Sequence, residues 1–108
     1  LPAATVGLAA TIPESGSITS SIINALGFSS LSVGLKSTQA GQVSVQCYLD
    51  GAAQAPQGAP VSATLTANTA AYLTLPGGSL LFSTFVITVT NTSGSAAATL
   101  SNVAVLIG

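Results

Sequence analysis

The chain has 108 residues, 48% of them apolar, and only three charged side chains, Glu14, Lys36 and Asp50, for a net charge of −1. A domain of this size can bury a core without staples, and its apolar content argues against a disordered chain. Charge at 3%, against roughly 25% in typical soluble proteins, argues against the usual electrostatic grip on nucleic acid or on an anionic membrane surface.

No apolar run approaches the ~20 residues of a membrane helix. Five aromatics, two Tyr and three Phe, are too few for the girdles of a transmembrane β-barrel. No positively charged segment opens the chain, so no secretory signal is visible, although one could have been removed. The surface must be built from Ser, Thr, Gln, Asn, Gly and Ala. A chain with so little net charge is prone to associate, which points to a subunit docked in an assembly. The alternative is an extracellular or acid-adapted protein.

Residues 1–12 alternate loosely, with Val6, Leu8, Ala10 and Ile12 on one parity. They read as an N-terminal arm or an edge strand, and residues 13–108 as a single domain. Pro13-Glu14-Ser15-Gly16 is a turn cluster. Residues 18–23 are rich in β-branched side chains and read as a strand. The stretch 24–28 interrupts the pattern: Asn24 and Gly27 favour a turn, with a helical turn at 22–27 as the alternative, and Leu26 and Phe28 are placed to cap the core.

Residues 31–50 hold two runs of strict alternation, Leu31, Val33 and Leu35, then Val43, Val45, Cys47 and Leu49. Each run has one apolar and one polar face. With a short link ending in Gly41 between them, they predict a β-hairpin. Its buried set would be Leu31, Val33, Leu35, Val43, Val45 and Leu49, and its outward face would carry Lys36, Gln46 and Tyr48 together. Asp50-Gly51 is a turn, and the proline-containing stretch 52–60 an irregular loop.

Strands follow at 61–66, at 71–75 and at 80–90, separated by turns at 67–69 and 76–78. Asn91-Thr92-Ser93 matches an N-glycosylation acceptor but reads better as turn chemistry. The last strand, 98–107, changes parity between Leu100 and Val103, the trace of a β-bulge at Ser101-Asn102. Seven or eight short strands at near-regular spacing predict an all-β fold, an antiparallel β-sandwich of jelly-roll type.

The chemistry is sparse. Histidine is absent, so no Ser-His-Asp arrangement exists within the chain. Glu14 and Asp50 both sit in turns, where solvated carboxylates are the rule rather than a glycosidase pair. One thiol and two carboxylates make no metal site, apart from a weak Ca²⁺ site assisted by backbone carbonyls. Cys47 has no cationic neighbour to activate it and reads as a small buried hydrophobe. No catalytic, metal-binding or cofactor-binding residue is therefore expected, and the chain reads as a non-enzyme. The remaining classes are binding and structure. Tyr48 and Tyr72 are candidate contact aromatics, for a protein partner or as stacking platforms for a sugar.

The run SLSVGLKSTQAGQVSVQCYLDGAAQAPQGAP, followed by FVITVTNTSGSAAATLSNVAVLIG, resembles small all-β head decoration (cement) proteins of tailed bacteriophages, over about residues 17–108. The resemblance implies a jelly-roll-like sandwich on the outer surface of the capsid, a homo-oligomer, often a trimer, that braces the major capsid protein. Cys47 departs from it, since that position often carries a polar or basic residue. Contact residues expected on this basis lie in the arm, Leu1, Val6 and Leu8, in the loop, Pro56, Gln57 and Pro60, and at Tyr48 and Tyr72. The alternatives are a receptor-binding or fibre module that recognises host glycans, and a tail or neck component.

Overall fold

A computed structural model of the chain describes residues 7–24, 31–54, 56, 60–75 and 84–107. The strands are β1 (Thr11–Ile12), β2 (Ser17–Thr19), β3 (Ile23–Asn24), β4 (Leu31–Ser37), β5 (Gly41–Tyr48), β6 (Val61–Leu65), β7 (Thr69–Leu75), β8 (Thr84–Asn91) and β9 (Ala98–Ile107). There is no helix among the described residues. The alternative helical turn at 22–27 does not form at its start, where Ile23–Asn24 is strand paired to β8. Residues 25–30, with Leu26 and Phe28, lie outside the described residues, as do residues 80–83 of the strand expected at 80–90.

One sheet has the order β1-β9-β4-β7, and the other β2-β8-β5-β6, with β3 also on β8. Every ladder is antiparallel. The pairing is nested. β1 meets β9, β2 and β3 meet β8, β4 meets β7, and β5 meets β6. That is a long hairpin wound around itself into two sheets, the jelly roll expected from the strand spacing. β2 and β3 act as one interrupted strand on β8, which leaves eight strands among the described residues.

Side chains explain the irregularities. The register on β8 moves by one residue between Thr19↔Thr88 and Ile23↔Phe85, so the β2–β3 side carries one extra residue. Ser20 fills the gap. Its N–H donates to the Ile87 carbonyl at 2.8 Å, and its Oγ accepts from the Ile87 N–H at 2.9 Å, where a strand would offer a carbonyl. The bulge expected in the last strand is present. Between Gly34↔Ala104 and Lys36↔Ser101, β9 holds one residue more than β4, and Asn102 adopts φ 53°. Asn tolerates that left-handed conformation better than most residues. The bulge lets Leu100 and Val105 both face inward despite opposite parity.

The expected hairpin at 31–48 is not one. β4 and β5 belong to different sheets, and the link 38–40 crosses between them. Thr38 still holds the first sheet, donating to the Thr99 carbonyl at 3.1 Å while its Oγ1 accepts from the Thr99 N–H at 2.9 Å. Ser37 turns the chain by bonding both backbone groups of Gln39. Gly41 is required for close approach, because a Cβ there would run into the Thr90 carbonyl oxygen of β8. Alternation is the same in a hairpin and in a crossing, since each strand has one apolar face either way. It fixes which side is buried but not which strand is the neighbour.

The two apolar faces meet as the core. Leu31, Val33, Leu35, Leu73 and Val105 come from one sheet, and Val43, Val45, Phe85, Ile87 and Val89 from the other. Among the described residues Phe85 is the largest fully buried side chain, and burying such a ring contributes about 1.5–3 kcal/mol. Cys47 is buried with them. Leu49, expected in this set, is instead 59% exposed. β5 ends at Tyr48, and Asp50 takes over the chain, its Oδ1 accepting from the Gln54 N–H at 2.9 Å and its carbonyl from Thr84 Oγ1 at 2.8 Å.

The links 13–16, 38–40, 66–68 and 92–97 gather at one end of the sandwich around Asn91, which is 1% exposed. Asn91 Nδ2 donates to the Ala96 carbonyl at 2.9 Å and lies 3.3 and 3.4 Å from those of Pro13 and Ile12. Its Oδ1 accepts from the Ser93 N–H at 3.0 Å. The glycosylation-like triplet is thus turn chemistry, with its amide committed inside the fold.

Candidate interaction surface

The strand registers build two outer faces. On the second sheet two full rows cross all four strands: Thr64, Gln42, Thr90 and Ser17 in one, Ser62, Ser44, Thr88 and Thr19 in the next. Every side chain in these rows is uncharged and can both donate and accept a hydrogen bond. Neighbours across strands lie about 4.8 Å apart and along a strand roughly 6.6–6.8 Å. Gln46 beside Val86 and Tyr48 beside Thr84 continue the face toward the far end.

The outer face of the first sheet is different. Tyr72, Gly34 and Ala104 form one row, and Ala70, Lys36 and Ser101 the next. Tyr72 is 78% exposed, and Gly34 beside it has no side chain, which leaves that flank of the ring open. Ser32 Oγ and Thr74 Oγ1 share a hydrogen bond of 2.7 Å in the row beyond. Lys36 therefore lies on the opposite outer face from Gln46 and Tyr48, not beside them as the hairpin would have it.

The expected contact residues scatter. Leu1, Val6 and Gln57 lie outside the described residues. Leu8 is 6% exposed and belongs to the chain's own core, so it is not offered to a partner. The Ala10 carbonyl accepts from the Leu100 N–H at 2.8 Å, extending the β1 edge toward Leu8. Tyr48 is half-buried, and a bridge to Pro56 brings those two together near the start of β6, where Pro60 is exposed. Tyr72 stands alone on the other sheet. The Tyr72–Gly34–Ala104 row was invisible in the sequence, because it depends on cross-strand register rather than on any local pattern.

The few reactive groups among the described residues lie apart. Glu14 sits at the Asn91 end and Asp50 at the other, separated by the eight residues of β5, about 25 Å of strand. A glycosidase pair spans at most ~9.5 Å. Burial pushes the Cys47 thiol above its ordinary pKa, which keeps it protonated and a poor nucleophile. Among the described residues no group of His, Cys, Asp or Glu gathers in a way that could hold a metal ion.

No protein-family model matches the chain, and no curated protein matches it. Solved structures do resemble it in shape. One is a crystal structure of PirA, with a TM-score of 0.55 and 13% identity over 91% of this chain and 89% of that one. Another is a family 16 carbohydrate-binding module, with a TM-score of 0.47 and 13% identity over 89% of this chain and 74% of that one. At such identity the PirA likeness speaks to the β-sandwich fold alone.

Proposed function

We propose that the chain is a structural virion protein, a decoration subunit that docks on the outside of a phage head, contacts the major capsid protein and braces the shell as a homo-oligomer. The observation that carries this reading is the outer face of the second sheet, two complete rows of Ser, Thr and Gln without a charge. Such a face is suited to dense, repeated packing: copies do not repel one another, and contact rests on shape and neutral hydrogen bonds. Modest contact areas become decisive when many copies repeat them. The jelly-roll sandwich agrees with what the resemblance implies.

The test is to mix purified chain with undecorated heads and follow co-sedimentation and heat resistance. Bound heads should withstand higher temperature, and binding should change little from low to high salt, because few charges take part. Failure to bind overturns the reading.

A second reading, a fibre or receptor-binding module for host glycans, is favoured by one observation, the exposed Tyr72 ring beside Gly34. A glycan array probed with the native chain and with Tyr72→Ala separates the two. A specific sugar signal lost in the variant supports the glycan reading, and a blank array removes it.

A further inference from the structure

The sandwich finishes its four edge strands in different ways. β1 is two residues long, and the β2–β3 edge is broken by the extra residue beside Ser20. Short strands and bulges keep a sheet edge from recruiting another strand. β6 and β7 lie together on the opposite side, at the ends of their sheets. β7 pairs with β4 through seven consecutive residues without a shift. It contains no proline and no charge, and among the described residues no strand flanks its outer side.

The core is also thin along this side. Val61 and Ala63 of β6 and Ala71 of β7 pack against the core yet stay only half-buried, whereas the inward positions of β4 and β5 are buried throughout. Tyr72, the midpoint of β7, is the most exposed large apolar side chain among the described residues.

We propose that β7 pairs antiparallel with β7 of a second copy of this chain, about a two-fold axis at Tyr72, so that the first sheets of the two copies become one continuous sheet. A second copy fits because the edge is self-complementary, as a two-fold contact requires. Turned end for end about Tyr72, the strand sets Ala71 against Leu73, Ala70 against Thr74 and Thr69 against Leu75. Neither β6 nor β7 carries a charge that would repel its own copy. An axis at right angles to the sheets also brings β6 toward its counterpart. Ala63 is the midpoint of β6 and lies about as far from the turn at 66–68 as Tyr72 does. The half-buried Val61, Ala63 and Ala71 then lie at the junction of the two cores. The two Tyr72 rings become cross-strand neighbours on the outer face.

This contact does not depend on capsid docking, and it differs from the three-fold self-association that the resemblance implies. Sedimentation equilibrium of the native chain should give twice the chain mass. Tyr72→Glu, which sets like charges against each other across the axis, should weaken the dimer about tenfold or more while leaving the circular dichroism spectrum unchanged. Mild oxidation of Tyr72→Cys should link the copies covalently, whereas Thr99→Cys on the β1 side should not. A monomer at high protein concentration, a trimer, a dimer indifferent to Tyr72→Glu, or equal cross-linking of the two cysteine variants would each overturn the proposal.

Discussion

Along the β1–β2 side, side chains complete what the backbone leaves open: Ser20 stands in for a strand carbonyl opposite Ile87, and Asn91 gathers three carbonyls from two segments, Ile12 and Pro13 in one and Ala96 in the other. Along the β6–β7 side, the backbone runs in unbroken register and half-buried apolar residues line the border. Where the fold invests buried polar groups, its edge is closed from within. Where it does not, no strand among the described residues covers the edge, and the sequence there is neutral enough to meet a copy of itself.

Mutations that attack the first side should cost the most. Asn91→Ala removes the buried amide that donates to the Ile12, Pro13 and Ala96 carbonyls and accepts from the Ser93 N–H, and urea unfolding of the variant should show a loss of about 2–4 kcal/mol. A loss below 0.5 kcal/mol would mean that Asn91 is incidental. Gly41→Ala forces a methyl group against the Thr90 carbonyl where the chain crosses between sheets. It should destabilise by about 1–3 kcal/mol in the same assay. Ser20→Ala leaves the Ile87 N–H buried without its acceptor and should cost about 1–2 kcal/mol. Solvent exchange of that single amide, followed by NMR, should quicken with it.

Effects should shrink away from that side. The native Cys47 thiol should resist labelling until the chain unfolds. Its folded pKa is raised, so between the ordinary thiol pKa near ~8.5 and the higher folded value the unfolded state holds fewer protons. Stability should therefore be level below that window and decline as pH rises through it. The decline should be smaller in Cys47→Ala. Smallest of all, Tyr72→Ala should change the stability of the dissociated chain by less than about 0.5 kcal/mol, because its side chain is exposed on the single copy. A large loss there would move Tyr72 from the border into the fold itself.

Much of this arrangement was legible in the residues. The parity of 31–47 gave the buried face of β4 and β5, and the parity break at Leu100–Val103 located the bulge that Asn102 makes. Neighbourhood was not legible. The link 38–40 reads as a hairpin because alternation carries no record of which sheet a strand joins. Its Gly41 serves a close approach to Thr90 rather than a turn. Leu49 shows the limit of alternation at a strand end, where Asp50 captures the backbone before the pattern completes. Asn91 was read as part of a loop because a buried amide that binds distant carbonyls leaves no periodic trace. The candidate contact face was hidden for a related reason. Tyr72 and Ala104 flank Gly34 only through register.

The nested pairing also sets a schedule for folding. β1 pairs with β9, and β2 with β8, so the outermost ladders join segments from opposite ends of the sequence. Loops that long carry a heavy closure entropy, and chains dominated by such distant pairings fold in milliseconds to seconds rather than microseconds. The inner hairpin of β5 and β6, closed by the shortest of the paired loops, is the natural nucleus, with β4 and β7 added next. During synthesis on the ribosome β1 must wait, unpaired, until β9 has emerged. Its brevity, two residues ended by Pro13, then keeps a nascent chain from pairing with the wrong strand.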